Sequence, residues 1–269
     1  LFTSIPRFSG AHHANAVEVL SMMVILISIF TFLALGIWLG ASISYLAFLI
    51  SIGRFIVARF RKEMASREPA EFVWLPMGIL HGIIGTLIYI AARLRWTPVW
   101  MFEVGEEMTE LGLIICAVLG IGGFLGPRLM GRQKLFIRPM KGNTLERIAF
   151  VRKKRMAIHF IAGLVLFSSF WLEGLEKRVL GFSLRAAVIT FEFIWTGSLP
   201  FPPRTQGLHA KLLWISIWMV ALGSWALALF PDQEKAMLHI IFIGGFSLMI
   251  FAVATVVVLS HCGEAARLE

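Results

Sequence analysis

The residues with most chemistry to offer are seven histidines and one carboxylate set in an apolar run. Neutral imidazole is a ligand for haem iron and for copper, and it exchanges protons near neutral pH. His239 and His261 stand near the two ends of a long apolar stretch, residues 235–263, KAMLHIIFIGGFSLMIFAVATVVVLSHCG. On a straight helix they would lie about 33 Å apart, so they cannot share a metal. As ligands they would serve two sites, one at each face of a membrane. His81, His159 and His209 lie in, or at the start of, further apolar runs, and His12 and His13 are adjacent before the first run. No two histidines are spaced i, i+4, so any site must join separate segments. Two readings stand for each ring. His239, His261, His81, His159 and His209 are candidate cofactor ligands, and His12 with His13 a candidate metal pair. Each could instead be an interfacial residue hydrogen-bonded to a carbonyl or water.

Glu192 is the carboxylate. A lone acid within an apolar helix is expensive, which makes it a candidate proton relay or a structural hydrogen-bonding group. Arg185 is two turns away on the same stretch, so the partner must come from elsewhere, Lys211 or a histidine. Glu103, Glu106, Glu107 and Glu110 recur at i, i+3, i+4 and i+7 and form one acidic face. That face gathers protons or cations, or is a solvated helix start. Trp214, Trp218 and Trp225 share a helical face, which would flank a porphyrin or form an aromatic stripe. Cys116 and Cys262 make no disulfide framework, and Cys116 reads as a core thiol. No nucleophile motif, phosphate loop or closely spaced metal motif occurs, so no reaction is named and whether the chain is an enzyme stays open.

The elements that must position these groups follow from hydropathy. The chain has 269 residues, of which 58% are hydrophobic, and mean hydropathy is +0.81. Repeated apolar runs of about 20 residues predict an all-α, polytopic transmembrane helix bundle. The runs are continuous rather than alternating, which excludes a membrane barrel. Eight spans are expected, at 16–35, 41–59, 73–93, 107–130, 156–175, 180–199, 208–230 and 236–261, in a single domain 1–269. Residues 1–10 read as the exit from an earlier helix, so flanking helices are expected beyond this stretch.

The net charge of +9 is no nucleic-acid signal, because Lys and Arg collect beside spans. Only Arg93, Arg95, Lys177, Arg178, Arg185 and Lys235 fall on the side opposite residue 1. The positive-inside rule then makes the basic loops, the longest at 131–155, cytoplasmic. The expected surroundings are a lipid bilayer and partners in a membrane complex.

Two helices also resemble a known family. Leu238, His239, Gly244, Met249, Thr255, Leu259, His261 and Gly263 fall without a gap on the last helix pattern of the NnrS family, near LHxLxxGxxGxMxxxxxTRxxLGHTG. Ile121, Gly122, Gly123 and Pro127 match its IGGRxxPxFT segment, and Leu212, Leu213 and Trp214 match LLW of a third. The arginines of the first two patterns are Val256 and Phe124 here. The resemblance implies a multi-span haem- and copper-associated protein of the bacterial inner membrane, linked to nitric oxide metabolism or respiratory electron transfer. A structural accessory subunit without its own cofactor is the alternative.

Overall fold

The computed structural model describes residues 14–60, 69–132, 144–196 and 199–262. Among them, eight long helices follow in order: α1 (Ala16–Ala34), α2 (Trp38–Phe60), α3 (Trp74–Arg93), α4 (Trp100–Leu129), α5 (Thr144–Gly174), α6 (Arg178–Trp195), α7 (Leu208–Leu229) and α8 (234–261). A 3-10 turn at Ala70–Val73 leads into α3. Seven of the eight are long and apolar enough to cross a membrane, and the chain is an integral membrane protein. Large side chains such as Phe30 on α1 and Phe251 on α8 stand exposed, as lipid-facing residues do.

The helix outside that seven is α6. Arg178, Arg185 and Glu192 lower its hydropathy, yet Arg185 and Glu192 are both buried among its neighbours. Arg185 and Glu192 point inward, where other side chains meet them, while Arg178 is exposed and pairs with Glu234.

Two helices begin earlier than hydropathy suggests. α5 starts at Thr144 rather than 156, so Arg147 and Arg152 to Arg155 continue a helix instead of filling a loop. Lys and Arg are good helix formers, and a helix does not stop where the apolar run does. α4 starts at Trp100 rather than 107, which places Glu103 in its first turn, where carboxylates complement the helix dipole.

The helices form two compact units, with α3 and α4 running through both. One unit holds the described residues up to Pro69 together with Pro76–Leu113. Here α1 begins with a reciprocal cap, in which Asn15 accepts from Glu18 N at 2.7 Å and donates its own N–H to the Glu18 carboxylate at 3.0 Å. α1 and α2 are joined by a tight turn in which Gly36 has φ +69°, a conformation that suits glycine. α4 widens into a π-helical stretch at Met108–Gly112, and the Thr109 carbonyl accepts from Tyr45 Oη at 3.2 Å.

The other unit holds Ala70–Leu75 and the described residues from Ile114 onward. α5 and α6 form an antiparallel hairpin turning at Glu176, whose φ is +62°. α7 packs on α6 and on α8, which carries its own π-helical stretch at Ile240–Ser247. The turn Ala70–Val73 packs on α5 and on a second π-helical stretch of α4, Val118–Gly122.

Candidate functional site

The buried face of α5 includes His159, Ala162, Leu166, Phe170 and Glu173, and that of α6 includes Phe182, Arg185, Ile189 and Glu192. Spacings of three, four and seven put each set on one stripe of its helix. The hairpin lays the stripes together, and since His159 and Glu192 lie nearly equally far from Glu176 in sequence, they meet. The Nδ1 atom of His159 lies 2.7 Å from Glu192 Oε2, with both residues almost wholly buried.

Trp74 makes the third member. Pro76 sits in the first turn of α3, where its missing N–H costs nothing, and the 3-10 turn before it aims Trp74 inward. The Trp74 indole N–H donates to the same Glu192 oxygen at 3.3 Å. Oε2 therefore faces two ring nitrogens, and with Nδ1 as the donor a neutral His159 ring carries its lone pair on Nε2. Among the described residues, Nε2 of His159 and Oε1 of Glu192 are buried with no hydrogen-bond partner. Leaving such atoms unsatisfied costs about 1–3 kcal/mol each, so each has room in its hydrogen-bonding capacity for a water or a bound group.

Close backbone approach builds the surroundings. A Cβ on Gly120 would come 3.2 Å from Trp74 Cβ, and one on Gly123 would come 3.2 Å from Thr196 Cγ2. Thr196 Oγ1 donates back to the Glu192 carbonyl at 2.8 Å, which steadies the end of α6. Arg155, one turn before His159, pairs with the buried Glu71, three residues before Trp74. Arg128 lies over the Phe124 ring at 3.5 Å, and Phe72 meets the same ring edge-on at 5.1 Å.

The remaining candidates are placed apart. His81 on α3 is buried, packs on Gly112, and donates from Nδ1 to the Met77 carbonyl at 2.7 Å. His209, the second residue of α7, is half-buried. His239 on α8 is exposed, with Nδ1 donating to the Lys235 carbonyl at 2.6 Å. His12 and His13 lie outside the described residues, as does the His261 side chain. Trp214 and Trp218 meet edge-to-face at 6.3 Å, while Trp225 donates to Thr190 Oγ1 at 3.0 Å.

Sequence reasoning found His159 and Glu192 singly and passed over Trp74, Glu71, Arg155 and Glu173. Glu173 and Arg185 are opposite charges flanking a short connection, and that signal alone would have suggested a hairpin with paired stripes.

A family model described as NnrS protein matches residues 1–269, the whole chain. The chain belongs to the NnrS family. Neither the comparison with curated proteins nor that with solved structures found a match. In this NnrS chain, the segment that resembles the family's IGGRxxPxFT pattern contributes Gly123, which packs against Thr196 beside Glu192.

The donor set fits one kind of group well. A haem supplies four ring nitrogens of its own and asks the protein for an axial imidazole, the kind of donor that His159 Nε2 would offer. The carboxylate on Nδ1 is the outer partner that ligand histidines carry. Copper asks for several protein ligands, and among the described residues no histidine or cysteine joins a group of three ligating side chains.

Proposed function

We propose that this NnrS chain is an integral membrane haem protein acting in nitric-oxide-linked metabolism, and that His159 is the residue that would hold the iron. The observation that carries the reading is the buried Nε2 of His159, without a hydrogen-bond partner among the described residues, on an imidazole whose other nitrogen faces Glu192. The link to nitric oxide rests on the family. When bound, haem would supply an iron centre for binding nitric oxide or passing an electron. The protein's own residues then have definite tasks. His159 binds, Glu192 and Trp74 fix the ring's tautomer and direction, and the buried stripes of α5 and α6 keep water from the ligand atom. By the positive-inside rule, the end of α5 bearing Arg152 to Arg155 faces the cytoplasm of the bacterial inner membrane, and His159 lies near that face.

The test is the absorption spectrum of purified full-length protein with a pyridine haemochrome assay. Wild type should carry haem with a Soret band, and His159→Ala should lose most of it. An unchanged Soret band in His159→Ala removes His159 as ligand. Wild type that holds no haem and stays in a stable partner complex would instead be the structural subunit.

A further inference from the structure

We infer that Glu192 and Trp74 are positioning residues that tune the iron through His159, pulling its reduction equilibrium in opposite directions. The inference rests on the reading of His159 as the iron ligand.

The argument starts from the shared oxygen. His159 Nδ1 and the Trp74 indole N–H both donate to Glu192 Oε2, at 2.7 and 3.3 Å. All three side chains are almost wholly buried, so no water competes for that oxygen. In a medium of low polarity, a carboxylate accepting from an imidazole N–H draws the proton toward itself and enriches the ring in electron density. Through Nε2 that density favours the oxidised, more positive iron, and so lowers its midpoint potential. The Trp74 donor works against this. Its N–H takes part of the negative charge of Oε2 and weakens the pull on the His159 proton. The 3.3 Å length makes it the lesser of the two effects.

A role in packing alone predicts no such opposition. Glu192→Gln keeps shape and an amide acceptor but removes the charge, so the ring loses density and the potential rises. Trp74→Phe keeps the ring but removes the donor, so Oε2 pulls harder and the potential falls. The Glu192→Gln shift should be about tenfold in the one-electron Fe(III)/Fe(II) equilibrium, or roughly 59 mV. The Trp74→Phe shift should be smaller and of opposite sign.

The experiment adds iron protoporphyrin IX to the full-length protein in detergent, follows binding by absorbance, and measures the midpoint potential spectroelectrochemically at one pH. Wild type, Glu192→Gln, Trp74→Phe and His159→Ala are compared, with the iron–histidine stretch in resonance Raman as a second readout. The inference expects a raised potential and a lowered stretching frequency for Glu192→Gln, with the reverse for Trp74→Phe. Equal potentials in wild type and Glu192→Gln, or shifts of the same sign in both variants, overturn it. In those cases, loss of binding in His159→Ala leaves the ligand reading standing. Unchanged binding in His159→Ala overturns the ligand reading itself, and this inference with it.

Discussion

Arg185 of α6 donates from Nη2 to Glu173 Oε2 of α5 at 2.5 Å, and both side chains are buried. The guanidinium also lies 4.1 Å over the Phe170 ring, which rewards its charge where water cannot. α6 thus carries two buried polar groups spaced seven residues apart, and α5 answers each of them. Removing one partner of the ion pair strands a charge in a site built for two. Glu173→Leu or Arg185→Met alone should cost about 3–5 kcal/mol, while the double substitution should recover most of the loss. Unfolding by SDS titration of detergent-solubilised protein measures this. Additive losses in the double variant would show that the pair is not coupled.

Two glycines separate backbone strain from crowding. Gly36 has φ +69° and open space around its Cα, so Gly36→Ala meets only a conformational penalty, about 1 kcal/mol. Gly123 has ordinary helical geometry, but Thr196 stands 3.2 Å from where a Cβ would be. Gly123→Val should therefore cost more, about 1–3 kcal/mol, and should disturb the end of α6 that carries Glu192. The same unfolding assay ranks the two, and the reverse order would count against the packing described.

His239 is one of two histidines on the family pattern, yet it is exposed, with Nδ1 bonded to a carbonyl of its own helix. His239→Ala should change stability by less than about 0.5 kcal/mol. On the proposed reading of His159 as the haem ligand, it should also leave haem content at the wild-type level. A pyridine haemochrome assay on the purified variant reads the second outcome, and loss of haem there would move the ligand to α8.

The direction of the chain is open to a simple measurement. A fluorescent-protein reporter inserted between α4 and α5 should glow, because the basic end of α5 should hold that connection in the cytoplasm. An alkaline phosphatase reporter at the same point should be inactive. Active phosphatase there would reverse the orientation of every helix.

The sequence by itself determined the class of this protein. Long continuous apolar runs can satisfy their backbone in lipid only as helices, so a helical membrane protein was legible from composition and run length. Eight helices could be placed, and their ends were missed furthest where charge extended a helix beyond its apolar run, as at Thr144 and Trp100. His159 and Glu192 were visible as candidates because a polar group in an apolar helix stands out. What only the tertiary structure decided is which polar groups meet. Hydropathy says that Glu192 needs a partner but holds no information about its neighbour across a helix interface. That depends on the turn at Glu176, on the rotation of α5 and α6 about their axes, and on the 3-10 turn that swings Trp74 toward them. Those are properties of packed surfaces, set by many side chains at once, and no single spacing in the sequence encodes them.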